Sequence, residues 1–176
     1  MRYADGPRAE CEVLVAAAPC VVWELVSDIG LPARTSPELQ RVEWLDGASG
    51  PVVGARFAGF NNHPKIGDWR TVSQVVECDE ERAFAWAVID VDGRFGHAVD
   101  DPAQALATWR FTLEPEGNGT RLRHSVRVGP GSSGLSSIIA RMPEKEEQLI
   151  AARLAELRTG IEATLNGVKS LAETGR

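Results

Sequence analysis

The stretch EKEEQLIAARLAELRTGIEATLNGVKSLAE, Glu144 to Glu173, decides how this chain folds. Its apolar residues Ile150, Leu154, Leu157, Ile161, Leu165, Val168 and Leu171 recur at helical spacing, which places them on one face of a single long helix. A helix of that length spans roughly 45 Å, too long to cap one end of a sheet, and its stripe must be buried. The arrangement expected is an antiparallel sheet curved around the helix. Gly160 and Gly167 lie inside it beside Leu157, Thr164 and Leu171, where each costs about 1 kcal/mol relative to Ala. The missing side chains there either let the sheet approach closely or form a cavity wall.

Upstream of the helix the pattern is mostly of short alternating strands. Ala9, Cys11, Val13 and Val15 alternate with Glu10 and Glu12 as a first strand ending near Ala16 to Ala18. Pro19 suits the first turn of a helix whose stripe is Val22, Leu25, Val26 and Ile29. Gly30 closes it before a turn or short second helix from Leu31 to Ser36. Strands are then expected at Gln40 to Leu45, Ala55 to Asn61, Trp69 to Cys78, Ala83 to Asp90, Ala107 to Glu114 and Arg121 to Val128. Asp46-Gly47, Asp79-Glu80 and Gly117-Asn118-Gly119 supply turns between them. The segments His63 to Gly67, Asp92 to Gln104 and Gly129 to Met142 are rich in Gly, Pro, Ser or acids and are expected to be flexible and to border an opening.

Composition bounds the class. With 176 residues and 43% hydrophobic content the chain suits one domain, with an ordered core over residues 8–173. A chain of this size buries about 70% of its unfolded surface. The net charge of −6 is spread over short acidic clusters with no basic stripe, which argues against nucleic acid or an anionic membrane as partner. No apolar run is long enough to span a bilayer, so stable membrane insertion is not expected. Three cysteines, Cys11, Cys20 and Cys78, without CxxC spacing, and a start lacking an apolar signal segment fit a reducing cytoplasm. Asn118-Gly119-Thr120 then reads as turn chemistry, not as a glycosylation acceptor. The chain is expected to be a monomer or a homodimer.

Period-two alternation sorts side chains by face. Trp109, Phe111 and Leu113 share one face of a hairpin, and Leu122, His124, Val126 and Val128 share the matching face of its partner strand, so Arg110, Arg121, Arg123 and Arg127 point outward. Phe84, Trp86, Val88 and Asp90 share a face, as do Phe57, Gly59 and Asn61, while Trp69 falls in phase with Thr71 and Ser73. A mostly aromatic lining with a few polar groups is the usual composition of a small-molecule pocket. Trp and His packed inside such a face need a hydrogen-bond partner or water.

One strand, two short helices, six further strands and a long C-terminal helix is an α+β order that resembles the helix-grip fold of the START-like, or SRPBCC, superfamily. The likeness extends over nearly the whole chain. Several stretches are similar to its actinobacterial polyketide cyclase/dehydrase-like branch: PCVVWELVSDI at Pro19 to Ile29, GARFAGFN at Gly54 to Asn61 followed by Trp69, ATWRFTLEP at Ala107 to Pro115, and LRTGIEATLNGVKSLAE at Leu157 to Glu173. The resemblance implies a seven-stranded curved antiparallel sheet around the long helix. It also implies a ligand cavity between them, mapping to Trp23, Phe57, Asn61, Trp69, Trp86, Trp109, Phe111, His124, Leu157, Gly160 and Ile161. The superfamily includes lipid carriers, hormone receptors, aromatase/cyclases and co-chaperones, which share the cup and differ in its lining.

For chemistry in such a cavity, His124 is the candidate general acid or base, since an unperturbed histidine titrates near neutrality. Asn61 is the candidate to polarise a carbonyl, and Asp90 to orient the imidazole or act as base. The alternative for His124 is a histidine bonded to a neighbour or to pocket water. His63 and His97 fall in expected loops, and the scattered histidines leave no metal site to expect. Gly129-Pro130-Gly131-Ser132-Ser133-Gly134 lacks the ending of a phosphate-binding loop, there is no GxGxxG and no GxSxG, and no cofactor is expected. Cys20 and Cys78 read as inert thiols. The function expected is binding of a hydrophobic or amphipathic small molecule, such as a lipid, polyketide or sterol-like compound, for carriage or sensing. The alternatives are a polyketide cyclase, dehydratase or isomerase using the same cavity, and a protein-interaction role of the co-chaperone or toxin-like kind.

Overall fold

Alternation in Arg8–Val15 buries Ala9 and Val15 while Arg8, Glu10 and Glu12 face solvent, so this segment forms the first strand, β1. The structure, a computed structural model, describes residues 1–35, 39–63 and 67–175. Helix α1 spans Pro19–Val26, with Pro19 in its first turn and Val22 and Val26 buried. It ends a turn before Gly30, earlier than its apolar spacing predicts. The Ser27 hydroxyl donates back to the Trp23 carbonyl at 2.7 Å, and the Asp28 carboxylate accepts from the Gly30 N–H at 2.8 Å. Both side chains offer the backbone an alternative to another helical turn. A short helix α2 follows at Leu31–Thr35; Ser36 lies outside the described residues.

Six more strands complete an all-antiparallel sheet: β2 at Leu39–Trp44, β3 at Arg56–His63, β4 at Gly67–Asp79, β5 at Ala83–Ile89, β6 at Ala107–Glu116 and β7 at Gly119–Val128. Their order across the sheet is β1-β7-β6-β5-β4-β3-β2, a meander with the first strand returned to the side of the last. The expected turn at Asp46-Gly47 is made with left-handed backbone at both residues, φ 54° and 77°, which glycine supplies at the second without strain. Of the expected loop from His63 to Gly67, residues 64–66 lie outside the described set, while His63 ends β3 and pairs with Gly67 at the start of β4. The corresponding histidine is therefore on a strand and not in a loop.

The long helix, α4, spans Glu146–Thr174 and buries Ile150, Ile161, Leu165, Val168 and Ala172. Leu171 is 41% exposed, so the last contact of the stripe is made by Ala172. The helix packs chiefly along β1, with smaller contacts to α1, α2 and β7. Polar ties from its flank fix this position: Arg158 donates to the Glu10 carbonyl at 3.4 Å, Lys169 to the Leu14 carbonyl at 2.6 Å, and the Ala16 N–H to the Glu173 carboxylate at 2.7 Å. Gly160 sits on the opposite flank, exposed, where an added Cβ would meet nothing within 4 Å. It neither lets the sheet approach nor packs as a wall.

The segment expected to be flexible between Gly129 and Met142 holds a helix, α3, at Gly134–Arg141. Ser133 caps it: its hydroxyl accepts from the Ser136 N–H at 3.3 Å, and the Ser136 hydroxyl accepts from the Ser133 N–H at 2.8 Å. Phe95, from the β5–β6 connection, lies 3.7 Å from where a Cβ on Gly134 would stand. No residue of α3 is buried, so the helix lies on the rim of the molecule.

Candidate functional site on the inner face of the sheet

Cross-strand register aligns the inward residues into rows. Cys78, Phe84, Phe111, His124 and Cys11 lie side by side across β4, β5, β6, β7 and β1. The next row is Val75, Trp86, Trp109, Val126 and Ala9, and a third holds Ser73, Val88, Ala107 and Val128, with Phe57 opposite Ser73. The outward positions between them carry ion pairs: Arg110 with Glu77, Arg121 with Glu12 and Glu116, and Arg123 with Glu12. Arg127 is exposed on the same outer face. The Arg110 guanidinium lowers the Glu77 carboxyl below its ordinary pKa, and Arg123 with Arg121 does the same to Glu12.

The first two rows build an aromatic cluster. The Phe111 ring lies 3.9 Å from the His124 imidazole, centroid to centroid, with planes 12° apart. Trp109 stacks on His124 at 5.2 Å and 26°, and Trp86 on Trp109 at 6.4 Å and 14°. Phe84 packs on Trp86 at 5.5 Å and takes the edge of Trp23 from α1 at 6.4 Å. Phe111, Phe57 and Ile161 are buried and form the floor, whereas Trp23, Trp86, Trp109 and Leu157 are only partly buried although they pack on the core. Trp86 and Trp109 share the inner face of the sheet with the core residues they pack on. Phe84 belongs to this surface and was recognisable from its alternation with Trp86.

His124 sits at the base of the cluster, 4% exposed. Its Nδ1 lies 3.1 Å from the Arg110 carbonyl oxygen. Burial lowers its pKa to about 4, the backbone hydrogen bond opposing the shift only in part, so the ring is uncharged at neutral pH. This removes the proton that a general acid would donate and leaves a weak base.

The residues expected to work with His124 do not gather around it. Asp90 lies six positions beyond Phe84, whose row holds His124, about 20 Å along the strand direction. Its two carboxylate oxygens accept from the backbone N–H groups of Arg94 and Phe95, each at 2.8 Å, so Asp90 orients its own turn and not an imidazole. Asn61 pairs in register with Trp69 toward the same end, and its amide donates to the Gly59 carbonyl at 3.4 Å. Trp69 and Asp90 do meet, in a half-open cavity of about 450 Å³ that Arg70, Val88, Arg94 and Phe95 also line. There the Arg94 guanidinium stands 5.4 Å from the Trp69 ring centroid. Arg94 and Phe95 went unrecognised because they come from an irregular connection with no periodicity. A second hollow of about 420 Å³ lies where the same connection crosses Arg56 and Arg70, which pair with Asp100 and Asp92.

Residues 7–171 match the family model described as polyketide cyclase / dehydrase and lipid transport. The chain belongs to this family. Among solved structures, the solution structure of a polyketide-cyclase-like protein from Corynebacterium glutamicum is 30% identical, with a TM-score of 0.66 over 96% of this chain and 92% of that one. That relative fits the actinobacterial branch. The di-domain ARO/CYC StfQ from the steffimycin biosynthetic pathway gives a TM-score of 0.67 at 15% identity, over 95% of this chain and 50% of that one. A protein from Thermus thermophilus gives 0.61 at 15% identity, over 96% and 99%. These last two establish the helix-grip fold. No curated protein matches the chain. Among the described residues no helix is long and apolar enough to cross a membrane.

Proposed function

We propose that this member of the polyketide cyclase/dehydrase and lipid transport family takes a hydrophobic or amphipathic small molecule, such as a lipid, polyketide or sterol-like compound, onto the inner face of its sheet, for carriage or sensing. One observation carries the reading: Trp23, Trp86 and Trp109 pack on the core yet stay partly exposed, and are joined into one aromatic cluster through Phe84 and the Trp86–Trp109 stack. Water against such a surface is unfavourable by about 25 cal/mol per Å² of apolar area, and a flat or chain-like apolar ligand removes it. Leu154 and Leu157 of α4 extend the same surface from the helix side.

Carriage is favoured over cyclisation by the arrangement of polar groups. A cyclase needs an acid and a base held around one substrate. Here the carboxylate of Asp90 is engaged by its own turn, and His124 is uncharged at neutral pH with its one ring proton on Nδ1, held by the Arg110 carbonyl. The likeness in fold to the aromatase/cyclase StfQ keeps the enzymatic alternative defined without supplying its residues.

Native mass spectrometry of the purified protein, set against its denatured extract, tests the reading. The expected result is a small-molecule mass that is present under native conditions and released on unfolding, or, for protein purified empty, saturable quenching of tryptophan fluorescence by N-phenyl-1-naphthylamine. A protein that neither retains a ligand nor binds this neutral probe overturns it.

A further inference from the structure

From its bonding, we infer that His124 is a fixed, uncharged hydrogen-bond acceptor that selects flat apolar ligands carrying a hydroxyl group and discriminates against carboxylates. This rests on the reading of the inner face as a ligand surface and names the ligand's polar group. The Arg110 carbonyl can only accept, so the ring nitrogen 3.1 Å from it, Nδ1, must carry the proton. In the neutral ring that leaves a lone pair on Nε2. Nε2 has no protein partner among the described residues, although His124 is more than nine-tenths buried. No fully buried side-chain nitrogen or oxygen among those residues lacks a partner, so Nε2 is the part of His124 that reaches accessible space.

The direction of the lone pair decides what it can receive. It lies in the plane of the imidazole, and that plane is within 26° of Trp109 and 28° of Trp86. A ligand lying against the indoles meets this lone pair only with a group that donates along the imidazole plane, which a rotatable hydroxyl does. A carboxylate at neutral pH has no proton to offer. Its charge would be desolvated beside Phe84, Phe111, Trp109 and Val126, none of them a cation, with a lone pair facing it. Burial reinforces the selection by keeping the ring neutral well below physiological pH.

Titration of tryptophan fluorescence at pH 7 with naphthalene, 2-naphthol and 2-naphthoate tests this. Wild-type protein is expected to bind 2-naphthol about fivefold or more tightly than naphthalene, as one added neutral hydrogen bond allows, and 2-naphthoate more weakly than naphthalene. In His124→Phe the ratio of 2-naphthol to naphthalene affinity should fall to about one, whatever the absolute affinities. If 2-naphthol and naphthalene bind wild type equally, the ligand surface stands and the role of His124 is overturned; if neither binds, both fall. A measurement without any variant covers the case in which His124→Phe does not fold. The ¹⁵N resonance of His124 Nε2 should shift on addition of 2-naphthol while Nδ1 keeps its proton, and an Nε2 signal unmoved at saturation overturns the assignment.

Discussion

Burial holds the pKa of His124 at about 4, against 6.5 for an unperturbed histidine, because the apolar rows around it leave a charged imidazolium without solvation. The linkage to stability has a definite sign. Between pH 6.5 and 4 the unfolded chain binds a proton at this residue and the folded protein does not. Folding is therefore favoured in full above that window, loses stability as pH falls through it, and loses no more from this residue below it. The shift corresponds to about 3 kcal/mol. Urea unfolding of wild type and His124→Phe at pH 7 and pH 4.5 is the check: wild type should lose roughly 2 kcal/mol more than the variant over that interval. Carboxylates such as Glu77 and Asp92, lowered by Arg110 and Arg70, are common to both proteins and cancel in the comparison. Equal losses would show that His124 takes up its proton as readily folded as unfolded. Asp90 makes a different point at the same scale. Its phase on β5 was legible, but a carboxylate just past a strand end finds the N–H groups of its own turn before it finds a distant imidazole.

At the scale of elements, Gly160 provides the sharpest prediction. It lies within α4, exposed, with nothing within 4 Å of an added Cβ. Gly160→Ala should therefore raise stability by about 1 kcal/mol, through helix propensity alone, and leave binding of N-phenyl-1-naphthylamine unchanged. Denaturant unfolding and a fluorescence titration read the two halves, and a drop in either would place Gly160 against the sheet. The position is instructive about legibility. The 3.6-residue period placed Ile150, Ile161, Leu165 and Val168 on the buried side, with Leu154 and Leu157 partly buried between them, yet a glycine one flank away from that stripe reads almost the same as one within it, and the difference is set by where β1 meets the helix. Strand positions were legible throughout, because apolar alternation and turn residues act locally. Helix α3 was missed although Leu135, Ile138, Ile139 and Met142 have helical spacing. Its cap is a Ser-Ser pair in place of the usual Glu partner, and the Gly-Pro-Gly run ahead of it masked the start. The distance separating His124 from Asp90 could not be read, since it depends on register between strands far apart in sequence.

For the molecule as a whole, the question is which part of the inner face a ligand occupies, since aromatic residues line it from β2 to β7. Two tryptophans separate the possibilities. Trp109 lies at the centre, stacked on Trp86 and His124, while Trp44 sits toward the β2 edge, packed on Phe57 at 5.7 Å and 76°. Both are partly buried and pack against the same core, so truncating either removes comparable apolar contact and should cost about 2–3 kcal/mol in folding stability. Their effects on binding should diverge. Trp109→Ala removes a ring from the stack on which a flat ligand would lie and should weaken N-phenyl-1-naphthylamine by about tenfold or more, the behaviour of a central aromatic anchor. Trp44→Ala should leave that affinity within about twofold, because its ring is committed to Phe57 and lies strands away from His124. Paired urea and fluorescence titrations give both quantities on each variant. A larger affinity loss for Trp44→Ala would move the ligand to the β2–β3 side of the sheet, away from His124, and would detach the hydroxyl-selecting role of that residue from the binding event.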